Sequence, residues 1–499
     1  MTLASPSTGK EAQERSIITW KEGEPAPRDE FFWLSQINKS TLILNSEQGL
    51  LDAKLAPGYA RGLKRVIAEA STSGSYRPRM YVRYEPLMVK ACGIEVTAMH
   101  AGRSSQDMHA TFQRAMLRDL AVRFAKNFNA ARRALFKLAL ENRDTIAPCY
   151  TNGVAAQPSS LGHTWLGHLS GLSRDFEIFK GAWGRLNRCP MGTTVLNGTS
   201  WPLDRRGMAA YLGFEGPIDN AYDAGQIAGT DVAVEAALML VSPLMHIVQF
   251  IQDVMVQYAQ PRPWILVSAT YASSAMPQKR NPGSLIDVRR DANGVLGALQ
   301  SILWRAHDLT PGMYDAKDIE LNGEILRDAG TVAAEFARVL PLLKVDAKRA
   351  LEKLNLDWTA SQELADILMR RFAIPFRLGH HVASQMVTVA RANEWTPLTF
   401  PHAEICRIYK EVTAEEPAGG IPVEFPLSEA EFREALDPRS IVANRATEGG
   451  PQEKELSRLF AEMDAAIAAD ETWLEEKDAG LKSAEARLEA DFEALAAKP

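Results

Sequence analysis

Apolar residues recur at intervals of three and four along the middle of this 499-residue chain, and that periodicity limits the fold more than any other feature. One run is Leu117, Leu120, Phe124, Phe128, Ala131, Leu135 and Leu138. A second is Leu161, Trp165, Leu169, Leu172, Phe176 and Phe179, and a third is Leu285, Val288, Ala292, Val295, Leu299 and Ile302. Residues 230–258 and 324–344 fit two further helices. Solvent cannot satisfy such stripes, so five long helices imply a bundle. Strand signals are scarce, and the fold class expected is all-α.

Around the bundle, residues 1–110 and 366–499 carry shorter helical patterns broken by Pro and Gly clusters, such as EPAGGIPVEFP from Glu416. They read as helical end domains flanking a central domain at 111–365. The last 45 residues, rich in Ala, Glu and Lys, read as charged, solvated helix.

Composition removes several function classes. A net charge of -6 gives no electrostatic footprint for nucleic acid or an anionic membrane. The apolar stretch at 237–248 is too short to span a bilayer and contains Pro243 and His246, so it reads as buried helix. Residues 1–20 lack the apolar run of a secretory signal, which makes the cytoplasm the expected compartment. Cys92, Cys149, Cys189 and Cys406 are scattered without a C-x-x-C pair, so neither a disulfide framework nor a zinc knuckle is expected. His163 and His168, five apart, do not share a helical face, and no metal site is expected.

The segment YASSAMPQKRNPGSL (271–285) stands before the Leu285 helix and reads as a loop feeding a helix start. Unpaired N–H groups there, with Lys279 and Asn281, suit a carboxylate, and Ser273 or Ser274 can act as a base if its hydroxyl is ionised. Composition alone favours a structural turn, with Lys279 and Arg280 as solvated charges.

The ordered spacing goes further, because the segment resembles the signature loop G-S-S-x-M-P-x-K-x-N of the aspartase/fumarase superfamily, departing only at Ala272. The form MPQKRNP is similar to the argininosuccinate lyase branch. INKSTLILNSEQGLL (37–51), HAGRSSQDMHAT (100–111), PCYTNGVAAQPSSLGH (148–163), LNGTSWPLDRRGMAAYLGFEG (196–216), PFRLGHHVASQMV (375–387) and RATEGGPQ (445–452) resemble further segments of that branch, in the same order.

The resemblance implies a three-domain, all-α subunit whose five long central helices join those of three other copies in a homotetramer, with each active site assembled from segments of three subunits. It also implies cofactor-free elimination of a nitrogen or oxygen group beta to a carboxylate, releasing fumarate. Ser273 matches the general base. Ser104, Ser105, Gln106, Thr151, Asn152, Met276, Lys279 and Asn281 match substrate-binding positions, and Ser274, Gln157, Tyr81, His100 and Glu320 join them as further candidates. Ser104 and Thr151 are equally suited to cap helices. Tyr81 lines the pocket or only packs; Arg103 braces its loop through backbone contacts.

The chain departs from the branch where a proton donor is expected. Asn152 stands where histidine follows threonine, and Ile286, followed by Asp287, where that histidine's glutamate partner stands. Both members are lost together, as expected of groups that work as a unit. His100 and His109 flank the GRSSQD loop and could supply the missing acid. In GMYDAKDIELNGEIL (312–326), Glu320 and Gly323 replace glutamine and lysine in the segment that contacts the argininosuccinate tail. The expected function is therefore a C–N lyase acting on a different N-substituted aspartate, such as an iminodisuccinate or ethylenediamine-disuccinate type. The alternatives are argininosuccinate lyase proper and a non-catalytic, crystallin-like relative.

Overall fold

The computed structural model describes residues 16–21, 23–416 and 418–499. Most of the stretch read for a targeting signal lies outside the described residues.

Three helices open the fold: α1 (Glu30–Glu47), α2 (Ala56–Glu69) and α3 (Tyr81–Cys92). The central helices are α4 (Ser105–Glu141), α5 (Leu161–Leu186), the short α6 (Arg205–Tyr211), α7 (Ala228–Tyr258), α8 (Gly283–Ala306) and α9 (Ile319–Val339). Six short helices follow: α10 (Ala347–Leu356), α11 (Ser361–Phe372), α12 (Phe376–Ala392), α13 (His402–Glu415), α14 (Glu429–Ala435) and α15 (Pro438–Ala443). The chain closes on α16 (Glu453–Ala496).

The five long helices expected from periodicity are α4, α5, α7, α8 and α9, and the architecture is predominantly helical. Every residue of the second and third stripes is buried, and so is the first except for half-buried Leu120. The last of the five starts and stops earlier than the pattern 324–344 implied. Asp318 caps it by accepting from Leu321 N, and after Val339 a single tighter turn at Leu340–Leu342 leads into a strand at Leu343.

Pattern reading missed three two-stranded antiparallel sheets: β1 (Ile146–Thr151) with β2 (Val154–Ser160), β3 (Ile265–Val267) with β6 (Leu343–Val345), and β4 (Tyr271–Ala272) with β5 (Arg280–Asn281). The first turns on Asn152 and Gly153, with φ of 52° and 78°. Two successive positive φ values make the tight hairpin turn for which Asn-Gly is the favoured pair.

Packing forms two apolar cores. One gathers α1 to α9 and takes in Leu456, Phe460, Ile467, Leu474, Leu488, Phe492 and Leu495 of α16. The other spans Trp358 to Ile441. The last helix is thus not solvated all round: its charged residues other than Asp470 stay in reach of solvent, while Asp470 and an apolar stripe return to the first core. Helix α7, with the turn of π-helix before it, is apolar and long enough to cross a membrane, yet half of its most apolar window is buried. Leu238 and Met245, 52% and 57% exposed, stand seven residues apart on its open side. This is a core helix with one apolar strip left uncovered.

Candidate active site at the two ends of the bundle

Residues 271–281 form a hairpin loop, with helix α8 beginning only at Gly283. Ser273 is half-buried, and its Oγ accepts from Ala275 N at 3.3 Å and Met276 N at 3.1 Å. Two N–H groups on one hydroxyl oxygen favour its ionised form. The Asn281 side chain donates to the Tyr271 carbonyl at 3.3 Å, closing the loop. Ser274, Met276 and Lys279 are exposed, and among the described residues the Lys279 ammonium has no hydrogen-bond or ion-pair partner.

Thr151 and Asn152 are exposed at the tip of the β1–β2 hairpin, so Thr151 ends a strand and caps no helix. Gln157 donates to Gln362 Oε1 at 2.9 Å. Ile286 is half-buried in the first turn of α8, and Asp287 pairs with Arg290 at 2.9 Å. Tyr150 accepts from Trp264 Nε1 at 3.4 Å, which ties this hairpin to the end of the bundle that carries β3 and the Ser273 loop.

Ser104 caps α4. Its Oγ accepts from Gln106 N at 3.2 Å, while Asp107 accepts from Ser104 N at 2.9 Å. The other Asp107 oxygen receives Thr193 N and Thr194 N at 3.2 and 3.1 Å, pinning the neighbouring loop, in which β-branched Val195 is held at φ 80°. Burial raises the pKa of Asp107 against those bonds. Such strain beside a helix start fits a functional site. Ser105 is half-buried and Gln106 exposed.

Tyr81 is 5% exposed, stacked on His100 with ring centroids 5.0 Å apart and covered by Arg103 at 4.9 Å. Burial raises the Tyr81 pKa and Arg103 opposes it, so of its two expected roles this geometry is packing. Arg103 braces the loop through side chains, to Thr41 Oγ1 at 3.0 Å and Asn38 Oδ1 at 2.9 Å, and not through backbone contacts. Burial and Arg103 lower the pKa of His100, whose Nδ1 lies 3.9 Å from Glu85. His109 is 4% exposed and bonds Tyr314 through Nε2 at 2.9 Å. Burial, then Lys317 and Arg79, bring its pKa down to about 4, against the pull of Asp318.

Sequence reading named no individual side chain in 312–319, yet the structure brings Tyr314 and Lys317 to this end. Lys317 is 2% exposed, with its ammonium unpaired among the described residues and its pKa lowered by burial. Glu320 accepts from Arg79 at 3.0 Å, and Arg79 also holds Glu30. An aromatic and a lysine just ahead of the Asp318 cap were the available signal.

The candidates therefore stand in two groups. Helix α4 is about 55 Å long at 1.5 Å per residue, with Ser104 at its start and the Thr151 hairpin beyond its end. Helix α8, about 36 Å long, runs from the Ser273 loop to Arg305, which donates to the Asp315 carbonyl beside Tyr314 and Lys317. Among the described residues no hydrogen bond or ion pair joins Ser273 to Ser104. Cation-rich groups at opposite ends of one rod can act together only if another copy reverses the direction.

The lyase family matches residues 85–297, and the argininosuccinate lyase C-terminal family matches 358–443. Together these matches support an argininosuccinate lyase-like member of the aspartase/fumarase superfamily. It is 29% identical to the argininosuccinate lyase of Methanosarcina acetivorans over 91% of this chain and 89% of that protein. A crystal structure of EDDS lyase in complex with formate superposes with a TM-score of 0.83 at 25% identity, covering 94% of this chain and 92% of that one. An EDDS lyase variant with bound fumarate, 24% identical, shares the fold with a TM-score of 0.82 over 97% and 98% of the chains. This member of the superfamily is a carbon–nitrogen lyase, as the sequence led one to expect.

Proposed function

We propose that this lyase splits an N-substituted aspartate, an aminopolycarboxylate of the iminodisuccinate or ethylenediamine-disuccinate type, into fumarate and an amine. The observation that carries the reading is the Ser273 loop, with two backbone N–H groups already aimed at Oγ. In the proposed step Ser273 Oγ takes the proton from the carbon next to a succinyl carboxylate. Charge then builds on that carboxylate, where Lys279, Asn281 and loop N–H groups stabilise it more than in the ground state. The electron pair forms the carbon–carbon double bond as the C–N bond breaks, and the amine leaves with a proton supplied by water or by a neighbouring group of the substrate.

The tail segment favours a substrate other than argininosuccinate. Glu320, paired with Arg79, stands where the branch has glutamine, and Gly323 where it has lysine. The EDDS lyase likeness supports a succinyl amine. Ser104, Ser105, Gln106, Thr151, Asn152 and Met276 belong to the proposed binding surface, with Ser274, Gln157, Tyr81 and His100 around it.

The proposed assembly is a homotetramer in which antiparallel copies bring a Ser273 end to a Ser104 end. The open apolar strip of α7 through Leu238 and Met245 suits that contact. Closure there also desolvates the Ser273 loop, which one chain leaves exposed. The cytoplasm is the proposed compartment.

The test is ultraviolet-monitored consumption of fumarate with a panel of amines, amino acids and diamines, arginine included, with Ser273→Ala as control. Serine-dependent consumption with one amine supports the reading and names the substrate. Consumption with arginine alone would return the chain to argininosuccinate, and none at all would favour a non-catalytic relative.

A further inference from the structure

Buried polar atoms in folded proteins nearly always have partners, yet among the described residues the Ser104 end holds several without a hydrogen bond. His100 Nδ1 and Arg103 Nε are two of them, and deeper along α4 lie His109 Nδ1 and both side-chain polar atoms of Gln113. Ser105, His109 and Gln113 follow one another at single turns along one face of α4. The row leads inward from the proposed binding surface.

Among the described residues the His109 side chain makes one hydrogen bond, between Nε2 and the Tyr314 hydroxyl at 2.9 Å. Its ring is fixed edge-on against Phe112, with centroids 4.8 Å apart, and lies tilted at 47° to Tyr314, with centroids 4.9 Å apart. The low pKa keeps the imidazole neutral near pH 7, so it carries a single N–H. A proton on Nδ1 would strand a buried donor, whereas a proton on Nε2 leaves only an unused acceptor. Orphaned buried donors are the rarer of the two. The Nε2–H tautomer is therefore preferred.

The geometry points to His109 as a positioning residue, whose Nε2–H donates to the Tyr314 oxygen and turns the Tyr314 O–H outward to the amine half of the substrate. Tyr314 is half exposed, so its hydroxyl proton can reach a ligand. Lys317 N donates to the Tyr314 carbonyl at 2.8 Å, closing the short turn that carries both residues, so one locus gathers a phenol donor and a cation that lowers the His109 pKa. An acceptor suits that pair, and a carboxylate on the amine half suits it best. This inference rests on the succinyl-amine reading above and deepens it.

Two measurements on the full-length protein test it. In 15N-histidine-labelled protein, with His109→Gln identifying the signal, solid-state NMR should find Nε2 protonated and Nδ1 bare; an Nδ1-protonated ring would overturn the assignment. In kinetics with the succinyl amine identified by the panel, His109→Leu should raise KM about tenfold with kcat within about twofold. Inhibition by fumarate, which lacks the amine half, should not change. His109→Gln, whose amide N–H can replace the donor, should return KM to within about threefold, and Tyr314→Phe should reproduce the His109→Leu value. Equal weakening toward fumarate, or no rescue by glutamine, would make His109 merely structural and sink the proposal. If the wild-type protein converts no amine in the panel, the proposed function falls, and the tautomer alone decides the role of His109.

Discussion

Arg132 on α4 and Asp470 on α16 meet at 2.7 Å, with the arginine side chain fully buried and the aspartate 5% exposed. Arg132 also donates to Asn129 Oδ1 at 2.6 Å and Ser173 Oγ at 2.9 Å, and Lys180 pairs with the second Asp470 oxygen. The pair pins the last helix to the bundle through its charge. Asp470→Ala leaves the guanidinium buried without its counter-charge and should cost about 3–5 kcal/mol. A fall in the denaturant midpoint checks this, and a change under about 1 kcal/mol would mean that water reaches the site.

Ser273→Ala should lower kcat by about 10²–10⁴-fold, the usual contribution of a positioned proton acceptor. Fumarate affinity should hardly change, since the hydroxyl is not among the groups proposed to hold its carboxylates. Single-turnover kinetics and equilibrium fumarate binding separate the two effects. An unchanged rate would remove Ser273 as the base.

Separation of Ser273 from Ser104 by a helix length predicts complementation between inactive copies. Ser273→Ala fails at one end of the bundle, and Ser105→Trp, which fills the binding surface, fails at the other. Co-refolding equal amounts should restore about a quarter of wild-type activity, because each site draws one end from each of two chains and half of each end is intact. Activity that stays at the level of the separate variants would place both ends in one chain's site.

The hairpin tip gives a stability prediction independent of catalysis. Gly153 holds φ 78° with no atom near its missing Cβ, so backbone conformation alone resists a side chain there. Gly153→Ala should cost about 1–2 kcal/mol, the penalty of a left-handed conformation for an L-residue. A thermal shift against Gly167→Ala, an open helical glycine on α5 expected to be neutral or stabilising, isolates the turn.

Helix positions were legible because burial imposes a period of 3.6: Leu161 to Phe179 and Leu285 to Ile302 lie inside as the pattern required. The hairpin at Asn152 is legible in principle from its Asn-Gly pair, but the same position also reads as a replaced histidine, and the family motif hides the turn. The ends of helix α9 depended on the Asp318 cap and on the pairing of β3 with β6, and the latter joins residues about 80 apart in sequence. The site loops were legible as ordered motifs. Their distribution over two ends was not, since spacing along a chain carries no direction in space. Contacts of His109 and Tyr314, 205 residues apart, needed the fold itself.

His109 predicts an acid limit on stability. Its ordinary pKa of 6.5 falls to about 4 in the fold, with burial the largest cause and Lys317 and Arg79 adding to it. On acidification the unfolded chain therefore takes up this proton first, and the stability held by the neutral ring, complete above about pH 6.5, is lost as pH falls toward 4. Between pH 7 and 5 the loss from this one group should be about 2 kcal/mol. His109→Gln has no such proton to gain, so its denaturant midpoint should fall less than that of the wild type over the same interval. Equal slopes would mean that solvent reaches the imidazole, and with it the neutral donor to Tyr314 would lose its physical basis.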